Sequence, residues 1–348
     1  MAGVLMAVQG SKIQSIQFLR FVAATLVVLF HAHLAISTSL SPESAIDADL
    51  YLFGFGAVGV HIFFVISGYI MVLTNSRPDR PFSARQFYKK RLIRIYPIYW
   101  LIAALYLVIN TVMGSPYEFT AYELLSSLLL LPDNAPLIIG PAWTLAYEMY
   151  FYLIFGIAMI FGLLRGLILL SLFFTISMAL GLFVRPENAF TGLMTNSLLA
   201  EFLIGAWIAW VTLRVKFPGW LGYLSVAGSV ILYAGGIVIG YESLPSALIW
   251  GVPSAMLVFG AVVLERHVQP AFVTQLSPLG DSSYTLYLAH ILLITILIAL
   301  AQVVQLTMLP ILLMTAVFTV ICVLFSHWFH LQVEAPMTAR LTTWSKRV

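Results

Sequence analysis

Arg20 and His31 stand at opposite ends of one apolar run, LRFVAATLVVLFHAH (19–33). Eleven helical steps separate them, about 16 Å along an axis and only about 20° around it, so both side chains share one face. An imidazole can take a proton from a hydroxyl near neutral pH. Other apolar runs carry similar groups. His61 lies in GVHIFFVISGYIM, Glu148 in PAWTLAYEMYFY, Glu201 in LLAEFLIGAW and His290 in SYTLYLAHILL. A carboxylate beside an imidazole can fix its tautomer and stabilise its cation. Arg91 and Arg94 of YKKRLIRIYP are one turn apart, which places two guanidinium groups on one helix face and suits a phosphate-rich ligand.

The elements that must position these groups follow from composition. The chain is 61% hydrophobic and 9% charged, against about 25% charged in ordinary soluble domains. That leaves too little polar surface for a water-soluble body of 348 residues. The expected fold is all-α, a polytopic membrane helix bundle of about ten transmembrane helices. The spans are expected near Ile13–Ile36, Gly54–Leu73, Ile95–Val112, Trp143–Phe161, Gly166–Val184, Leu193–Leu213, Leu221–Gly240, Ser246–Leu264, Tyr284–Val303 and Leu309–Leu331. Ala121–Leu131 is apolar but short and suits an interfacial or re-entrant helix. The N-terminus lacks the basic start and cleavage site of a signal peptide, so the first run is expected to stay as a span. Low-complexity tracts, long linkers and internal repeats are absent, which predicts one domain over 1–348. The lone Cys322 permits no intrachain disulfide.

Lys and Arg bias predicts that both termini are cytoplasmic. With ten spans, the basic residues collect on the inner side, from Lys12, Arg77 and Arg80 to Arg347, and only Arg185 falls outside. The outer loops carry acids instead, including Glu43, Asp47, Asp49, Asp133 and Glu242. This topology predicts that His31, His61, Glu148 and Glu201 share an outer-half layer. It places His290 at about the depth of Arg20. An ionisable side chain in a span is a functional hypothesis by default. Plainer readings stand beside it. His33, His327 and His330 suit helix packing equally well. Lys89 and Lys90 suit a topology signal or contact with anionic lipids. Glu148 would also serve as a buried hydrogen-bonded carboxylate joining two helices. Arginines near one face and a histidine with a carboxylate near the other describe a polarised channel. Acyl-coenzyme A has the matching shape, with phosphates at one end and a thioester at the other.

These pieces together resemble the acyltransferase-3 family of membrane acyltransferases, especially stand-alone members that modify exopolysaccharides and other surface glycans. The likeness rests on Arg20 with His31, Gly59–Met71, Arg91–Pro97, Pro141–Tyr152 and Ser283–His290, in order along nearly the whole chain. It implies that His31 is catalytic, with Glu148 as its acid. It implies that Arg20, Arg91, Arg94 and His290 bind the donor, and that His61, Trp143, Tyr284 and Tyr287 support the site or the substrate. Family members commonly carry Asp where this chain has His61. The donor implied is acyl-CoA, acetyl-CoA foremost with succinyl-CoA as the alternative, and no metal is expected. The implied partners are a glycan acceptor and membrane lipids, with no nucleic acid, in the cell inner membrane. Direct transfer and an acyl-histidine intermediate both stay open, as does oligomeric state. The competing class is a proton-coupled transporter, which intramembrane His, Glu and Arg also mark.

Overall fold

A computed structural model describes residues 13–40, 53–76, 81–114, 116–184, 186–240, 243–305 and 310–346. Of the residues that carried the topology argument, Lys12, Glu43, Asp47, Asp49, Arg77, Arg80, Arg185, Glu242 and Arg347 lie outside the described residues, as does Leu309 at a span edge.

The described chain is helical from end to end. The helices are α1 (Gln14–Ser39), α2 (Val58–Asn75), α3 (Ala84–Val112), α4 (Ala121–Leu129), α5 (Trp143–Ala158), α6 (Leu163–Phe183), α7 (Ala189–Thr195), α8 (Leu199–Thr212), α9 (Gly219–Ile239), α10 (Val252–Glu265), α11 (Ala271–Leu276), α12 (Ser283–Val303), α13 (Ile311–Phe329) and α14 (Ala335–Trp344). Among the described residues, ten helical segments are long and apolar enough to cross a membrane. They coincide with the ten expected spans. With water absent from the hydrocarbon core, a helix satisfies its own backbone and leaves its apolar flanks to lipid. Leu182, Phe183 and Val238 are each 85% exposed, as lipid-facing residues should be.

The helices depart from the expected boundaries at several points, the last of them running on to Trp344. Helix α3 starts eleven residues before Ile95, because Ser83 caps it by accepting the Gln86 N–H, so the basic cluster is itself helical. Pro97 stands inside this helix and withholds the N–H that would reach Ile93. The sixth span is interrupted between α7 and α8, where the Asn196 side chain accepts the Leu198 N–H and donates to the Tyr147 hydroxyl. The short helix α4 forms as expected, with Thr120 and Glu123 making a capping box.

The chain divides into two compact units. The first comprises residues up to Ile16 and His61–Pro270. In it α3 packs on α5, α5 and α8 on α6, α8 on α10, and α9 along α10. Its centre is a ladder of rings, with Phe202 stacked on Phe64 at 4.6 Å and on Phe151 at 4.5 Å. Helices α2 and α8 touch backbone to backbone there. A Cβ on Gly68 would lie 1.9 Å from the Phe202 carbonyl oxygen, and one on Gly205 would lie 1.9 Å from that of Val65. Glu265, at the end of α10, accepts the Gln14 and Ser15 N–H groups at 2.7 and 2.9 Å and so caps α1 from outside it. The second unit comprises Gln17–Val60 and Ala271 onward, with α12 lying along α13.

Candidate active site

In the second unit, α1 and α12 bring two imidazoles together. The His31 and His290 rings lie 4.9 Å apart between centroids, with Nδ1 of His31 3.3 Å from Nε2 of His290. Nδ1 of His31 also lies 2.9 Å from the Val27 carbonyl oxygen, one turn back on its own helix. A carbonyl only accepts, so Nδ1 of His31 carries the proton. Its Nε2 therefore holds a lone pair, and no hydrogen bond to it is found among the described residues. Nδ1 of His290 lies 2.7 Å from the Tyr287 carbonyl oxygen and is likewise protonated. His290 is fully buried, whereas His31 keeps part of its surface open.

This pairing corrects the expected depth of His290. The reckoning counted helical turns from the span edge and set His290 level with Arg20. The register is fixed elsewhere. Gly280 lies against Gln17 so closely that a Cβ there would sit 2.0 Å from the Gln17 oxygen. A 3₁₀ turn over Ser277–Gly280 ends at that contact, and α12 climbs from there. His290 is ten residues beyond that contact, and this carries it up to His31. Arg20 lies lower on α1 and donates to the Gln17 side chain at 3.0 Å.

The first unit holds the other candidates in two groups. Nδ1 of His61 meets Oε1 of Glu201 at 2.7 Å, and Glu201 is fully buried. Its second oxygen has no hydrogen bond among the described residues. Glu148 does not join them. Its Oε1 accepts from Ser67 Oγ at 2.7 Å and from the Tyr152 hydroxyl. Ser67 is six residues past His61 on α2, about 9 Å further along the axis. The outer layer shared by His61 and Glu148 is therefore corrected: only Glu201 keeps company with His61. The Arg91 guanidinium lies over the Tyr152 ring at 5.6 Å and the Phe87 ring at 5.7 Å. Glu148 thus orients the ring on which Arg91 rests. The Arg91 Nε is buried and has no acceptor among the described residues.

The residue set now has a frame to be compared within. The family described as "Acyltransferase domain" matches residues 13–327. The chain belongs to the acyltransferase-3 family. It is 29% identical over 255 residues to the exopolysaccharide production protein ExoZ of Rhizobium meliloti, spanning 70% of this chain and 78% of that one. It is 30% identical over 304 residues to the putative membrane-bound transacylase BcsY of Komagataeibacter xylinus, spanning 80% of this chain and 72% of the other. The acyltransferase MdmB of Streptomyces mycarofaciens is 28% identical over 153 residues, 41% of this chain and 38% of its own length. No solved structure matches the chain.

Several parts of this acyltransferase were not visible as partners in the sequence. Trp143, expected in a supporting role, is 42% exposed and meets Tyr147 edge to face at 5.6 Å. Tyr287 contributes its carbonyl to His290 and its ring lies 6.0 Å from that imidazole, while Tyr284 sits one turn earlier on α12. His33 packs, stacked on Phe53 at 3.9 Å with Nδ1 3.4 Å from Thr315. His330 pairs with the fully buried Glu334 at 2.8 Å, which also accepts from Thr285 at 2.7 Å. Ser67 and Tyr152 lay inside quoted motifs, but nothing in their spacing named Glu148 as their common acceptor.

Proposed function

We propose that this membrane acyltransferase moves an acyl group, acetyl foremost, from cytoplasmic acyl-CoA to a hydroxyl of an exopolysaccharide-type glycan at the outer side of the cell inner membrane. Both termini are taken to face the cytoplasm, on the Lys and Arg bias. The observation that carries the chemistry is the state of His31. Its Nδ1–H is held by the Val27 carbonyl and Nε2 is left as a bare base. That nitrogen takes the proton from the acceptor hydroxyl as its oxygen attacks the thioester carbon. The tetrahedral oxyanion then collapses, the C–S bond breaks, and the proton on Nε2 passes to the departing thiolate. Ester and free thiol are the products. The exopolysaccharide acceptor is supported by the name of one relative, the exopolysaccharide production protein ExoZ. The CoA donor is supported by Arg91, whose buried Nε lacks an acceptor among the described residues and rests with Arg94 on one helix face. An unsatisfied buried donor is costly, and a phosphate oxygen is the acceptor that a guanidinium fork fits best.

The Nδ1 position expected for a carboxylate is filled by Val27 and His290. Glu148 is accordingly assigned to the donor side, where it sets Tyr152 beneath Arg91. The test is thiol release from acetyl-CoA or succinyl-CoA by purified protein in liposomes, with and without exopolysaccharide from the host. Release that requires the glycan and prefers acetyl-CoA is expected. Uptake of the glycan into vesicles without thioester cleavage would replace the enzyme with a carrier.

A further inference from the structure

We infer that His290 is the positioning residue of a two-imidazole relay, and that it acts beside the Val27 carbonyl to hold His31 in its basic tautomer. The inference rests on the proposed role of His31 as base, and its own geometry is independent of any donor or acceptor.

The chain of hydrogen bonds has one fixed end. The Tyr287 carbonyl accepts at 2.7 Å from Nδ1 of His290 and can do nothing else. In the neutral ring, Nε2 of His290 is therefore an acceptor. The group facing it, at 3.3 Å, is Nδ1 of His31. Two lone pairs would repel, so the proton between the rings belongs to His31. The same proton is shared with the Val27 carbonyl at 2.9 Å. The chain of bonds has one polarity, from His31 Nδ1–H to His290 Nε2 and from His290 Nδ1–H to Tyr287. It ends on a bare Nε2 at His31. In hydrolytic triads a carboxylate occupies the place that His290 takes here. A neutral acceptor differs in one respect that matters. It fixes the tautomer without adding a negative charge to a site that lies among apolar helices. When Nε2 of His31 takes the hydroxyl proton, the Nδ1 proton can move toward His290, so the positive charge spreads over two rings. A second proton is excluded, because it would set N–H against N–H. Full burial of His290 also keeps water from competing for its Nε2.

The test separates orientation from mere packing. In ¹⁵N-histidine spectra of the wild-type protein in detergent micelles, without donor, His31 is expected as the Nδ1–H tautomer with a bare Nε2. His290 should show the same tautomer. His290→Phe fills the space but cannot accept, and His290→Gln can both accept from His31 and donate to Tyr287. His290→Phe should lower kcat by about a hundredfold with KM for acetyl-CoA unchanged, a loss typical of a disabled base. His290→Gln should recover to within about tenfold of wild type, because the hydrogen bond is restored without the shared charge. The His31 signal should gain a minor share of the Nε2–H tautomer in His290→Phe, where the Val27 carbonyl is the one acceptor left, and stay single in His290→Gln. A wild-type spectrum with His31 protonated at Nε2 would overturn the relay, as would His290→Phe turning over at the wild-type rate. Wild-type protein with the expected spectrum but no acetyl-CoA turnover would leave the relay standing and remove the proposed donor instead.

Discussion

Nδ1 of His61 and Oε1 of Glu201 lie 2.7 Å apart inside the first unit, in a place where the carboxylate has no exposed surface. The imidazole comes from α2 and the acid from α8. The pair is held by the backbone contact between α2 and α8. Removing one partner of a buried pair leaves the other stranded, which costs about 3–5 kcal/mol. Glu201→Ala should therefore lower the melting temperature in detergent well below that of Glu201→Gln, which keeps a hydrogen-bond acceptor for His61. Equal melting temperatures for the two variants would show that the pair contributes no more than its volume.

The glycine contact makes a separate prediction. A methyl on Gly205 would meet the Val65 carbonyl oxygen at 1.9 Å, and backbone cannot step aside as a flexible side chain can. Gly205→Val should push α2 and α8 apart and break the His61–Glu201 bond. The expected result is a loss of folded protein at least as large as that of Glu201→Ala, read by size-exclusion recovery and thermal melting. Overpacking costs about 1–3 kcal/mol before any polar contact is lost. Wild-type stability for this variant would contradict the close approach.

Donor binding separates Arg91 from His31. Arg91→Ala should weaken acetyl-CoA binding by about tenfold or more, measured calorimetrically, since charge-assisted contacts to phosphate are among the stronger hydrogen bonds. Tyr152→Phe should weaken it less, because the ring under Arg91 remains and only its tether to Glu148 is lost. An unchanged affinity in Arg91→Ala would move the phosphates elsewhere.

The loop between α3 and α5 supplies a pH test outside the membrane spans. Burial of Asp133 alone would raise its carboxyl, but hydrogen bonds from Ser126, the Ala135 N–H and Tyr122 outweigh it and hold the group below its ordinary range. A depressed carboxyl contributes stability that is present above its unfolded value, about 3.9, and lost as pH falls through the folded value. Hydrogen-exchange protection factors, corrected for the intrinsic rate at each pH, should be high in Ala121–Leu131 at neutral pH and fall below pH about 4. Asp133→Asn should show low protection at both. Equal protection of the two proteins at neutral pH would show that Asp133 does not hold the loop.

Much of the fold was legible because the bilayer imposes a simple rule. About 20 apolar residues make a span, and the ten runs obeyed it. The amphipathic Ala121–Leu129 helix was legible by its shortness. The positions of Arg20 and His31 on one face of α1 followed from helix geometry alone. What escaped was contact between spans. Counting turns from an apolar edge misplaced His290, because the Gly280–Gln17 contact sets the register of α12. Glu148 and His61 seemed level by the same reckoning, yet Ser67 holds Glu148 two turns away. The break at Asn196 had a signal in the sequence, because the polar run Thr195-Asn196-Ser197 interrupts the apolar stretch, but nothing in it named Tyr147 as the partner of Asn196.

The central claim is that His31 Nε2 is the base for acyl transfer. The most direct measurement compares wild type with His31→Ala, at equal membrane levels, for O-acetyl content of the host exopolysaccharide and for acetyl-CoA affinity of the purified protein. The account predicts that the variant adds no acetyl groups while binding the donor within about threefold of wild type, since only a group acting on the reacting atoms is lost. Acetylation at the wild-type level by His31→Ala would contradict it.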